Sequence, residues 1–373
     1  MNKFSPLFQL VKKSAQPAAI AAIALMAQAC SCPFGNGKAT IPASDSRIRY
    51  SGRSTGIGTN DVAVGYSGAR ERLRFEGTSV AARIRDDSGE NYAVAFVDGK
   101  MGDKFRLNAP DGVYKLADNL AYGAHTVEIV RVTECNFGLT HFLGFELNAG
   151  AKILAWPVEK ERRIEFIGDS ITCGYGVEAA NENEHFSAAT ENFCLGIAGL
   201  AARKLDAEYL VVSRSGIGIM RNYDGPREGG TGGDTMPDIY PNTFYMIRGA
   251  WDFSGFAPDV VCINLGTNDF STSGCDIDKF VATYIAFAGK ILERHPNAKL
   301  VILQGPMENS RPLRDALGRV IEALSKQAPG RVSYFAMSAQ GAHGYGADWH
   351  PSRLQAEIGA NELSGFLSSL MGW

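Results

Sequence analysis

The sequence predicts two domains: an all-β sandwich or jelly roll, then an α/β domain with a parallel sheet and helices on both faces. Three observations carry this. Residues 45–150 fall into short runs that alternate apolar and polar with period two, separated by turn residues. After residue 160, apolar strand-like runs alternate with segments whose apolar residues recur every three or four positions. Between them "WPVEKER", residues 156–162, has the proline and charges of a short connector. At 373 residues the chain is long enough for two such domains.

The amino-terminal end is of another kind. Lys3, Lys12 and Lys13 precede the apolar run "PAAIAAIALM". That run is shorter than the roughly 20 residues needed to cross a bilayer. Ala27-Gln28-Ala29-Cys30 follows, so residues 1–29 read as an export signal ending in a small-residue cleavage site. The plainer alternative is a short buried helix. Cleavage before Cys30 would make that cysteine a candidate lipid anchor, and residues 30–44 an amino-terminal linker. The expected location is periplasmic, at the outer surface, or secreted. A formal net charge of −3 and scattered basic residues argue against a nucleic-acid partner. Of the seven cysteines, Cys262 within "VVCINLG" is expected to be a buried thiol. Cys173 and Cys194 flank one loop and could pair in an oxidising compartment, though spacing alone does not establish the bond.

In the first domain, residues 45–155, the strands are "RLRFEGTSVAARIRD", "NYAVAFVDGK", "DKFRLNA", "HTVEIVRVTE" and "FLGFELN". Asp86-Asp87-Ser88-Gly89 and Asp98-Gly99 punctuate them, and no helical period intervenes. Such a domain either grips a sugar or serves as a packing platform. The second domain, residues 160–373, has strand runs "RIEFIG", "AEYLVVS", "DVVCINLG", "KLVILQG" and "RVSYFAM". Helical segments lie among them, from "FCLGIAGLAARKL" to the terminal "SRLQAEIGANELSGFLSSL". Ligands of parallel sheets bind beyond the carboxyl ends of the strands, so the informative loops follow each strand. The Gly- and Pro-rich stretch "DGPREGGTGGDTMPD", residues 224–238, is expected to be a long surface loop of the sort that carries function.

Four strand ends carry chemistry. The first delivers Gly168-Asp169-Ser170, where Ser170 is either a nucleophile or, with Thr172, a helix cap. The second ends in "RSGIGIM", whose Gly216 and Gly218 let the backbone approach a ligand or simply turn. The third ends in Gly266-Thr267-Asn268-Asp269. Asn268 can donate toward a developing oxyanion; Asp269 is expected to shape the turn and is also a candidate substrate contact. Near the carboxyl end, "GADWHPSRLQ" sets His350 just before a Pro-Ser helix start. Each signal is weak alone. Four of them in order, along one edge of one predicted sheet, point to nucleophilic catalysis.

These residues resemble the SGNH (GDSL-type) hydrolases, with "FIGDSIT", "SRSGIGI", "NLGTND" and "DWHPS" matching the serine, glycine, asparagine and histidine blocks. The resemblance is closer to carbohydrate esterase family two, acetylxylan esterases with a jelly roll ahead of the SGNH domain. It implies a flavodoxin-like catalytic domain, no metal or other cofactor, and an acetylated polysaccharide or oligosaccharide as substrate. It makes Ser170 the nucleophile and His350 the base. The oxyanion hole would comprise the Ser170 N–H, a glycine N–H and the Asn268 amide, and counting from the strand end favours Gly218 over Gly216. One position departs from the pattern. Where many SGNH enzymes have the triad aspartate, this chain has Ala347, and the nearest carboxylate is Asp348. Either Asp348 orients His350, or a backbone carbonyl does and leaves a Ser-His dyad. Trp349 is expected to form a wall for a sugar ring or to lie in the core. The rival readings are an SGNH esterase acting on a lipid or thioester, and a carbohydrate-binding protein with an inactive hydrolase domain.

Overall fold

The short alternating runs of the first half become twelve strands among the described residues. The computed structural model describes residues 37–373 except 109, 157–159, 231, 232, 246 and 248. The export signal, Cys30 and Cys32 lie outside the described residues. The strands are β1 (Lys38–Pro42), β2 (Arg49–Ser51), β3 (Ser54–Thr55), β4 (Val62–Val64), β5 (Arg70–Gly77) and β6 (Val80–Asp86). They continue as β7 (Tyr92–Val97), β8 (Lys100–Arg106), β9 (Gly112–Ala117), β10 (Gly123–Arg131), β11 (Thr140–Asn148) and β12 (Lys152–Ile153). One antiparallel sheet runs β3-β4-β11-β6-β9 with β1 added on β11, the other β12-β5-β10-β7-β8 with β2 added on β5. β1 lies inside the stretch expected to be linker, and its five residues pair with β11 from Lys38↔Asn148 to Pro42↔Gly144.

The period-two pattern fills the space between the sheets. Leu73 and Phe75 of β5 and Val127 and Ile129 of β10 meet Ala82 and Ile84 of β6, all buried. β11 breaks the alternation. Its pairing with β6 skips a residue between Phe142 and Gly144, a bulge that lets Phe142 and Phe145, three apart, both enter the core.

The second half is a five-stranded parallel sheet: β13 (Arg163–Gly168), β14 (Glu208–Ser213), β15 (Val260–Asn264), β16 (Lys299–Gln304) and β17 (Val332–Ala336). Its order is β14-β13-β15-β16-β17, all parallel. The helices are α1 (Ser170–Cys173), α2 (Ile197–Lys204), α3 (Met236–Ile239), α4 (Thr267–Phe270), α5 (Ile277–Arg294), α6 (Arg311–Gln327) and α7 (Arg353–Met371). Neighbouring strand residues serve opposite faces, as the pleat requires. Ile167, Val212, Ile263 and Ile302 pack with α5 and α6, while Phe166, Val211, Cys262 and Val301 pack with α2 and α7. Both faces are therefore covered, and the strands read as continuous apolar runs.

The sandwich and the α/β domain share this core. Val94 and Phe96 of β7, with Val130 of β10, turn outward into the cluster around α2. Arg53 is fully buried between the domains: its guanidinium donates to the carbonyls of Tyr240 and Asn242 and lies 3.9 Å from Glu165 of β13. A second bond crosses the boundary, where Arg70 and Arg72 of β5 hold Glu208 at the start of β14. Burial would push the Glu208 carboxyl up, but the two guanidiniums outweigh it and bring it down to about 2. The five described cysteines are buried free thiols. Cys173 and Cys194 do not pair: the Cys173 sulfur meets the Ser213 hydroxyl at 3.2 Å, and Cys194 packs in the α2 cluster.

A depressed carboxyl pKa adds stability above the unfolded value of about 4.3, stability that is lost as pH falls toward 2. Glu208→Ala leaves two guanidiniums without their carboxylate and is expected to destabilise the protein by about 3 kcal/mol near pH 7. In thermal melts from pH 7 to 3, the gap from wild type should narrow below about pH 4.3; a gap constant with pH would contradict the pairing.

Candidate active site

The site begins with strand register. Gly168, the last residue of β13, is paired with Ser213 of β14 on one side and Asn264 of β15 on the other. Three strands thus end level, and the loops from 169, 214 and 265 leave the same edge. Gly168 has to be glycine, because a Cβ there would sit 2.0 Å from the Thr172 hydroxyl. Asp169 is the residue that caps α1: its carboxylate accepts from Ile171 N at 3.0 Å. Ser170 is therefore not the cap, and its side chain is left for other work.

That side chain meets His350, with Ser170 Oγ 2.8 Å from His350 Nε2. His350 follows a 3-10 turn, Ala347–Trp349, and precedes α7, which Ser352 caps through Gln355 N. Its Nδ1 lies 3.1 Å from Ala347 O and 3.2 Å from Asp348 O. Carbonyls only accept, so Nδ1 carries the proton and Nε2 accepts from the serine hydroxyl. Asp348 and Trp349 both take left-handed backbone conformations, at φ 47° and 58°. For non-glycine residues this costs roughly 1–3 kcal/mol each, a strain typical of functional sites. The turn presents its carbonyls to the imidazole. Burial pushes the His350 pKa down to about 4, against the bonds to Ala347 and Asp348, which raise it.

The expectation that the Asp348 carboxylate orients His350 is corrected here. The left-handed turn swings that side chain off the imidazole, and it accepts instead from Tyr175 OH at 2.8 Å, His185 Nδ1 at 2.9 Å and Phe186 N at 2.9 Å. Burial raises its pKa, but these bonds outweigh burial and hold it below the ordinary carboxylate range. What backs the histidine is the main chain.

The second loop reverses the order of the two glycines. Gly218 is excluded as an oxyanion donor, because its N–H is spent on Asn222 Oδ1 at 3.0 Å. Gly216 takes φ +77°, and its carbonyl accepts from Tyr223 N. Among the described residues, the N–H groups of Gly216 and Ser170 have no acceptor. Asn268, in α4, donates from Nδ2 to Ile217 O at 2.9 Å, beside Gly216, and stands 3.5 Å from Asp169 Oδ2. Desolvation brings the fully buried Asp169 up to about 7. Asp269 is corrected as a substrate contact. It is fully buried and accepts from Ile219, Met220 and Arg221 N–H groups, so it holds the glycine loop from below.

Trp349 is 56% exposed, which removes the core reading. Tyr223, a residue the sequence reading passed over, is 59% exposed on the glycine loop. Glu134 was also missed. It lies just after β10 in the sandwich, and its carboxylate accepts from Ser215 N at 2.6 Å, one residue before Gly216. Glu134, Cys173 and Glu191 lie within reach of a common point. Burial pushes all three toward their neutral forms. A cleft of about 670 Å³ lies at the other edge of the sheet, against Arg163, Glu208, Trp156 and Trp251, away from Ser170.

A serine on an imidazole, with glycine and asparagine donors at the ends of three parallel strands, defines the GDSL-type class of ester hydrolases. The GDSL-like lipase/acylhydrolase family model matches residues 166–357, and the carbohydrate esterase 2 N-terminal model matches residues 50–157. The chain belongs to family two of the carbohydrate esterases. It is 37% identical over 330 residues to the cellulase/esterase CelE of Acetivibrio thermocellus, matching 87% of this chain and 40% of that protein's length. It is 28% identical to an acetylxylan esterase/glucomannan deacetylase of Cellvibrio japonicus, covering 90% of this chain and 92% of the relative. A family two carbohydrate esterase from Clostridium thermocellum, solved in complex with cellohexaose, superposes with a TM-score of 0.82 at 36% identity, covering 87% of this chain and 99% of that one.

Two outcomes follow from the histidine's surroundings. Asp348→Asn should lower kcat by less than about tenfold, where loss of an acid bonded directly to the base costs near 10⁴-fold. Because the base works only when neutral, the acid limb of kcat/KM should lie near pH 4, well below the ordinary histidine value of about 6.5. A limb at the ordinary value would contradict the desolvation of this half-buried imidazole.

Proposed function

We propose that the protein removes O-acetyl groups from xylan, glucomannan or related oligosaccharides through an acetyl-enzyme on Ser170. The observation that carries this is the 2.8 Å contact between Ser170 Oγ and His350 Nε2, with Nδ1 held by carbonyls. In the first step the Ser170 proton passes to Nε2 while Oγ bonds to the acetyl carbon. The carbonyl oxygen takes the charge and is stabilised by the N–H groups of Ser170 and Gly216 and by the Asn268 amide as it gives up its long 3.5 Å contact with Asp169, each donor worth on the order of 3 kcal/mol. As the tetrahedral intermediate collapses, the bond to the sugar oxygen breaks and that oxygen receives the proton from Nε2. Water then repeats the sequence, giving its proton to Nε2 and releasing acetate and free serine.

The sugar side of the reading is supported by the names of the relatives and by the exposed Trp349 and Tyr223. Aromatic faces of this kind stack on the apolar faces of sugar rings. The intact Ser170–His350 pair weighs against a protein that only binds carbohydrate. The same reading places the protein outside the cytoplasm, on the strength of residues 1–29, with Cys30 as a lipid anchor if cleavage falls before it.

Ser170→Ala should keep the wild-type melting temperature and lose turnover of a small acetyl ester; wild-type activity in that variant would overturn the assignment. Rates should be highest on acetylated xylan or glucomannan and fall on longer-chain aryl esters, and the reverse order would favour a lipid or thioester substrate. Trp349→Ala should raise KM for acetylated oligosaccharide several-fold, with little change for a small aryl acetate.

A further inference from the structure

His350 is held along one edge only. Its Nδ1 reaches two carbonyls at 3.1 and 3.2 Å and its Nε2 reaches Ser170. These bonds set the tautomer and limit the torsion about Cβ–Cγ, but such sp³–sp² torsions are soft and packing can hold them more tightly. A stacked ring does so. The phenol ring of Tyr175 lies with its centroid 3.9 Å from that of the imidazole, at an interplanar angle of 27°. On its other side Tyr175 stacks on Phe186 at 4.1 Å and 19°, and Phe186 continues to Phe137 of the sandwich at 6.1 Å.

Tyr175 is itself fixed. Its hydroxyl donates to Asp348 Oδ2 at 2.8 Å, and the same oxygen accepts from Phe186 N, so one carboxylate aligns both rings. Burial and the Asp348 carboxylate push the phenol pKa up, so Tyr175 stays a neutral donor. The charged group that acts on the imidazole through space is Asp348, turned away on its own loop; Tyr175 faces the ring from the loop after α1, and Ser170 from α1.

We propose that Tyr175 is a positioning residue for His350: its ring, anchored by Asp348, fixes the imidazole plane and stabilises the imidazolium that forms when Ser170 loses its proton. The aspartate near the histidine thus acts on the base through a tyrosine, not by a direct bond. A π face against a forming cation is attractive, more so out of water. The hydroxyl bonded to a carboxylate makes the ring richer in electrons, which strengthens the attraction. This assignment rests on the serine-esterase reading.

The test compares Tyr175→Leu, Tyr175→Phe and Asp348→Asn in the full chain, with melting temperatures to show that each folds. Two readouts are taken: kcat and KM on a small acetyl ester, and the NMR titration of the His350 ring, which needs no turnover. Tyr175→Leu should lower kcat about tenfold or more with KM unchanged and move the His350 titration to lower pH. Tyr175→Phe keeps the ring and should stay within about threefold of wild type. Asp348→Asn should cost less once Tyr175 is Phe than it does in the wild type, because the Tyr175–Asp348 bond is then already gone. An unmoved titration in Tyr175→Leu, or a Phe variant as impaired as the Leu variant, would overturn the proposal. A wild-type protein inert on every ester, but with the shifted titration in Tyr175→Leu, would sink the esterase reading and leave the positioning role standing.

Discussion

The site depends on a single register. Gly168 of β13 sits between Ser213 of β14 and Asn264 of β15, and this levels the three strand ends that carry Ser170, Gly216 and Asn268. A shift of one residue in a parallel pair would exchange the faces of the strand, sending Ile167 and its neighbours to the wrong helices. The apolar packing of α5 and α6 on one face and α2 and α7 on the other therefore fixes the catalytic edge as well as the core. Catalytic geometry here is a by-product of burying strands on both sides.

Buried carboxylates finish what the register starts. Asp169 caps α1 and reaches toward Asn268, and Asp269 gathers three N–H groups of the glycine loop. Glu134 comes from the other domain to hold Ser215 N–H. Their hydrogen bonds go to the loops around the Ser170–His350 pair and not to its side chains. They convert flexible loops into a rigid frame, which is what a preorganised oxyanion hole requires. Through Glu134 the sandwich is thus part of the frame around the Ser170–His350 pair.

Much of this was legible in the sequence because it is written in periodicity. The five apolar runs after residue 160 gave strands within two residues of their observed ends, and the order of the serine, glycine, asparagine and histidine blocks located the edge. The strands that escaped, such as Ser54–Thr55 and Lys152–Ile153, are too short to carry a period. β1 escaped because five residues beside a proline look like a linker until β11 is there to pair with them. Counting from the strand end preferred Gly218, but only the fold shows that its N–H is already used by Asn222. The same holds for Asp348. Its proximity in sequence suggested a triad, and two left-handed residues turn it toward Tyr175 instead.

The proposed reaction requires Ser170 to act as a covalent nucleophile. The most direct measurement is peptide mass spectrometry of enzyme quenched in acid during turnover of an acetyl ester. One acetyl group is expected on the peptide containing Ser170, appearing within the first turnover and absent from His350→Ala. Steady turnover with no acetyl on that peptide, or acetyl on a different residue, would contradict it.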